Sequence, residues 1–145
     1  MSGTASRYIS SFFVELFSDF MRVGIRQNDL TVEEVAIICV VVTESTREIR
    51  KDPFGARAFG SEQNFVPEAD RPPVSIKFIH TSLGMSRETT RRKVAGLVER
   101  GFLKRSGRGV IFPAQTGSDD YTREIRSHLV RKLEVLNAYL AKMPD

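Results

Sequence analysis

Two glycines, Gly84 and Gly101, constrain this chain most, because they bracket a helical segment with a turn at its start and a stop at its end. Glycine enters the left-handed backbone region that other residues adopt poorly, so each is placed to reverse or end a helix. Before Gly84, residues Ile76, Ile79 and Leu83 recur at helical spacing and predict a first helix over 76–83. After it, Met85 plugs the angle and Ser86 is suited to cap a second helix over 86–100, which Gly101 closes. Residues 102–105 and 110–112 are β-prone runs joined by Ser106-Gly107-Arg108-Gly109, a hairpin signal. Residues 74–113 therefore predict helix, turn, helix and hairpin.

The second helix has two unlike faces. At roughly 100° per residue, Thr90, Val94, Leu97 and Val98 point inward. The opposite face carries Glu88, Arg92, Ala95, Gly96 and Glu99, with Arg87 and Thr89 at the exposed N-terminal end. It is small in its middle and charged toward its start. Such a helix suits the major groove of DNA, where N-terminal side chains reach bases and small residues permit close approach. An i,i+4 surface pair between Glu88 and Arg92 would account for those two residues alone.

Charge follows the same segment. The chain has 145 residues, 41% hydrophobic and 28% charged, with a net charge of +4. From residue 87 to 108 there are eight Lys/Arg against two acids, so this stretch carries +6 and the rest of the chain −2. A basic patch on a nearly neutral body is the footprint of polyanion binding. Candidate DNA contacts are Ser86, Arg87, Glu88, Thr89, Arg91, Arg92 and Lys93 on the helix, with Lys104, Arg105 and Arg108 on the hairpin. Arg108 falls at the hairpin tip, within reach of phosphate or the minor groove.

The flanks read as helices. Over residues 5–26, Ile9, Phe12, Phe13, Leu16, Phe17 and Phe20 form a wide apolar stripe. Thr31 and Glu34 have capping-box spacing at the head of a second N-terminal helix. Its run 35–42 is apolar all round, which predicts a central buried helix with Cys39 as an inert core residue. Residues 52–73, with four prolines, read as a loop whose Phe54, Phe59 and Phe65 could pack back as a flap. Ser118 is suited to cap a last helix over 118–143, with Ile125, Leu129, Leu133, Leu136, Leu140 and Met143 as one seam. The expected fold is mainly α with a small β-hairpin wing, a single domain over 1–145. The terminal helices expose more apolar surface than one such monomer readily covers, which predicts a twofold dimer.

Other classes find little support. One cysteine gives no intrachain disulfide, and His80 and His128 lie far apart without further metal ligands nearby. No nucleophile–base pair, phosphate-cradling loop or paired carboxylate points to an enzyme, and no cofactor or metal is expected. No run approaches the ~20 apolar residues of a bilayer span, and Glu15 and Asp19 interrupt the apolar N-terminus against a signal peptide. A cytoplasmic protein is expected. A pocket between the Phe-rich helix and the 52–73 loop could hold a small-molecule effector.

Residues 83–94, Leu-Gly-Met-Ser-Arg-Glu-Thr-Thr-Arg-Arg-Lys-Val, followed by Leu97 and Gly101-Phe102-Leu103, resemble the recognition element of bacterial winged helix-turn-helix regulators. The helix is most similar to that of the Crp/Fnr family, G-x-S-R-E-T-V-x-R, and the likeness implies base contacts by Arg87, Glu88 and Arg92. No glycine-rich β-barrel precedes the motif, so cyclic-nucleotide sensing is not implied. Ser86, Thr89, Arg92, Leu97, Gly101 and Arg105 also fit the frame of the MarR family, whose order of elements the whole chain resembles. That likeness implies a homodimer joined by terminal helices. The wing is shorter than a MarR wing and lacks its Asp/Arg signature; 52–73 is an insertion, and His80 and Thr90 stand where alanine and valine are usual. Together these readings predict a homodimeric transcriptional regulator that binds double-stranded DNA at an inverted repeat with a G·C pair in each half-site. Helix 86–100 would enter the major groove, and wing 105–110 would meet backbone or minor groove. A winged helix serving as a protein–protein module is the competing reading; it would show apolar residues where Arg87, Glu88 and Arg92 stand.

Overall fold

The computed structural model describes residues 3–58, 66–113 and 120–143. They are mainly helical, with one small antiparallel hairpin. In chain order come α1 (Gly3–Arg22), a π-helical turn (Val23–Gln27), α2 (Val32–Lys51), α3 (Pro53–Ala58) and a 3-10 turn (Glu68–Asp70). Then follow α4 (Ile76–Leu83), α5 (Arg87–Glu99), β1 (Lys104–Ser106), β2 (Gly109–Ile111) and α6 (Asp120–Lys142). They group into two compact units, one of α1, the π turn and α6, the other running from α2 to β2.

In the second unit, α2 opens on the expected capping box. Thr31 Oγ1 accepts from the Glu34 amide at 3.1 Å, and Glu34 Oε1 accepts from the Thr31 amide at 2.9 Å. The helix packs against α4, α5 and β2. Val35, Ile37 and Val41 are buried, whereas Ile38, Cys39 and Val40 are half-buried and Val42 is exposed. The apolar run is thus only partly buried rather than buried all round, because α4, α5 and β2 do not enclose the whole helix. Val74, Ile79, Val94, Leu97, Leu103, Val110 and Ile111 complete the core.

Helices α4 and α5 end where the two glycines allow the chain to turn. Ser75 caps α4 by accepting from the Phe78 amide at 3.0 Å. Gly84 takes φ 67° between α4 and α5, and Gly101 takes φ 82° after α5. The hairpin pairs Lys104 with Ile111, Arg105 with Val110 and Ser106 with Gly109. Its first strand starts two residues later than the β-prone run, because the Phe102 and Leu103 amides still bond to the Leu97 carbonyl at 2.9 and 3.3 Å. Val74 and Val110 exchange backbone bonds of 2.8 and 2.9 Å, an added bridge that β-propensity does not reveal. That bridge makes Gly109 obligatory in size: a Cβ there would lie 2.5 Å from the Val74 carbonyl oxygen.

The 52–73 segment holds regular structure where a loop is expected. Pro53 opens α3, a position where its missing N–H costs nothing, and Asp52 Oδ1 accepts from the Phe54 amide at 3.0 Å. Phe54 is 85% exposed and so does not form the expected flap among the described residues; Phe59 and Phe65 lie outside them. Half-buried Arg71 does the anchoring instead, donating from Nε to the Val66 carbonyl (2.8 Å) and from Nη1 to the Phe112 carbonyl (2.5 Å).

In the first unit, α1 packs against α6. Tyr8 and Phe12 set their rings 5.8 and 5.9 Å from that of Tyr139. Lys132 pairs with Glu15, and His128 Nε2 lies 2.8 Å from Asp19 Oδ2. The helix expected over 5–26 is α-helical only to Arg22 and continues as the π turn, where the Asn28 side chain donates to the Val23 carbonyl at 3.1 Å. Along the α6 seam Leu136 is buried, while Leu133 is 50% exposed. The cap expected at Ser118 lies outside the described residues. No helix of the described residues is long and apolar enough to cross a membrane.

Candidate nucleic-acid interface

Ser86 spends its hydroxyl on the helix, its Oγ accepting from the Thr89 amide at 3.1 Å. That cap fixes the first turn of α5 and leaves Arg87 and Glu88 exposed at its N-terminal end, with Thr89 half-buried. On the inner face Thr90, Val94 and Leu97 are fully buried. Thr90 is the one polar member, and its Oγ1 donates to the Ser86 carbonyl at 2.8 Å, so burial leaves its hydroxyl satisfied. Val98, expected to face inward, is half-buried.

The eight charged candidate residues divide by what holds their charge. Arg91 grips Glu88 with two donors, Nε at 3.0 Å and Nη2 at 2.6 Å. The Arg91 hydrogen bonds, then its charge and that of Arg92, lower the Glu88 carboxyl pKa, and the same pairing raises that of Arg91. The partner of Glu88 is therefore the residue three positions on, whereas the surface-pair alternative named Arg92. Lys93 lies 3.4 Å from Glu33 at the head of α2, and Lys104 lies 2.6 Å from Glu68 in the 3-10 turn. Arg87, Arg92, Arg105 and Arg108 are exposed and make no ion pair among the described residues.

Glu33 and Glu68 are the partners that sequence reasoning missed. Each lies far along the chain from its lysine, and a local pattern of charges carries no trace of such pairing. Arg100 adds a third tie, 3.8 Å from Glu34, with its guanidinium 5.1 Å from the centre of the Phe102 ring. These contacts fix the end of α5 against α2 and leave the outer face of α5 open. What results is a capped helix with two uncommitted guanidiniums, beside a hairpin that offers two more. Such groups can donate to phosphate oxygens and to the acceptor edge of guanine. No protein-family model, curated protein or solved structure matches the chain.

Proposed function

We propose that this protein is a homodimeric transcriptional regulator that binds double-stranded DNA in a sequence-specific way through α4, α5 and the β1–β2 hairpin. In this reading they act as a winged helix-turn-helix, with α5 in the major groove and the hairpin as a wing on the backbone or minor groove. The observation that carries it is the set of four exposed arginines that make no ion pair among the described residues: Arg87 and Arg92 on an α5 whose inner face is sealed, and Arg105 and Arg108 on the hairpin. The likeness of residues 83–103 to bacterial winged-helix regulators supports the same reading.

Roles follow from position. Arg87 donates to O6 and N7 of a guanine, Glu88 accepts from the N4 amino group of a cytosine, and Arg92 reaches a second base or a flanking phosphate. Arg105 and Arg108 meet phosphates, and Lys93 and Lys104 join them by exchanging Glu33 and Glu68 for DNA. The second copy docks through unit-one helices, whose Phe13, Phe17 and Leu133 are each at least half exposed. Selection of bound duplexes from a random pool by the purified protein tests the whole reading. It should enrich an inverted repeat with a G·C pair in each half-site, the half-sites about one helical turn apart. Failure to enrich any sequence at low salt would defeat it.

A further inference from the structure

We infer that the first unit holds a binding site for a small monocarboxylic acid with an apolar tail. Between the C-terminal part of α1 with its π turn and the facing turns of α6 lies an open cavity of about 320 Å³. This falls at the lower end of the roughly 300–1,000 Å³ of small-molecule sites. Its apolar lining comes from Leu16, Phe20 and Val23 on one side and Ile125 and Leu129 on the other.

The polar lining selects the charge of the guest. Asp19 is held by His128 at 2.8 Å and by Arg22 at 3.6 Å, so its charge is answered within the wall. Arg26 and Arg131 also line the cavity and make no ion pair among the described residues. Glu124 is the other acid there, so the two guanidiniums exceed the uncommitted acids by one. Guanidinium binds carboxylate with two parallel hydrogen bonds, and apolar walls beside it favour a tail that leaves water. The π turn adds weight: Val23, Arg26 and Gln27 of it line the cavity, and such turns are frequent at functional sites. The inference stands apart from DNA binding, since every residue in it belongs to α1, the π turn or α6.

Calorimetric titration of the full chain with sodium octanoate, with octanol and inorganic phosphate as comparisons, tests it. Octanoate should bind saturably at one site per chain, and octanol and phosphate at least about tenfold more weakly. Arg26→Gln and Arg131→Gln should each weaken octanoate about tenfold and leave octanol unchanged, with helicity by circular dichroism preserved. Phe54→Ser, on α3 of the second unit and outside the cavity, should leave octanoate binding intact. The inference is overturned by absence of saturable octanoate binding, by octanol or phosphate binding equally well, by indifference to both arginine variants, or by loss of binding in Phe54→Ser.

Discussion

Gly109 has room for a hydrogen atom and nothing larger, because the Val74 backbone lies where a methyl group would go. Gly109→Ala must push β2 away from Val74 and should cost about 1–3 kcal/mol in urea unfolding. An unchanged midpoint would mean that the bridge yields freely. Thr90 makes the opposite case. Its hydroxyl bonds to the Ser86 carbonyl, which also accepts from the Thr90 amide at 3.0 Å, so Thr90→Val strands no partner. The change should alter stability by less than about 1 kcal/mol in the same assay. That Thr90 faces inward was legible from helical spacing; that its hydroxyl closes on the preceding turn required coordinates. Glu88 shows how far residue-level reading extends. Spacing allows a partner at three or four positions, and side-chain geometry chose Arg91. Glu88→Ala removes a negative charge and would tighten binding to any DNA on electrostatic grounds alone. If Glu88 reads cytosine, the variant binds the selected site more weakly, by about 1–3 kcal/mol in a filter or gel assay. Equal tightening on selected and random duplexes would leave it as a surface partner of Arg91.

At the scale of elements, apolar spacing located α4, and the caps Thr31 and Ser86 marked the starts of α2 and α5; the Ser75 cap of α4 emerges only in the fold. Elements shaped by distant contacts were harder to read. β1 starts late because Leu97 claims the preceding amides, and α3 sits in a proline-rich stretch that reads as a break. The π turn has no signature in apolar spacing. Where α1 meets α6, the hydrogen bond from His128, more than any nearby charge, lowers the Asp19 carboxyl pKa; Arg22 and Lys132 act the same way, and partial burial opposes them. A carboxyl whose folded pKa is depressed stabilises the fold above its unfolded value of about 3.9 and loses that contribution as pH falls through the folded one. The melting-temperature gap between the native protein and Asp19→Asn should therefore narrow steadily from about pH 5 to about pH 2. A gap constant over that range would deny Asp19 any linkage to folding. For the hairpin, Arg108→Ala should weaken binding to all duplexes alike and make the slope of log K on log[salt] shallower by about 0.9. An unchanged slope would remove the hairpin tip from the interface.

For the whole molecule, the order of the chain conceals how its ends are used. The sequence reads as one domain, and the described residues gather into two units, one drawing its helices from both termini. Apolar spacing marked the terminal helices as rich in unshared surface, and Phe17 and Leu133 are 64% and 50% exposed. A second copy covering them would gain part of the roughly 1.5–3 kcal/mol that full burial of such a side chain provides. Sedimentation should therefore find a dimer at micromolar concentration, and Phe17→Glu with Leu133→Glu should leave a folded monomer. A soluble monomer of the native sequence would defeat the assembly.

The Arg71 clasp bears on which substitutions this molecule can absorb over time. Both of its acceptors are main-chain oxygens, those of Val66 and Phe112, which every amino acid possesses. Positions 66 and 112 can therefore drift in side chain without loosening the tie, while the entire burden of heritable change falls on position 71. Lysine cannot take over, since its single ammonium lacks the rigid fork that spans two carbonyls. A closure between Arg71 and a segment 41 residues further on thus rests on the identity of one codon and is indifferent to the side chains of its two acceptors.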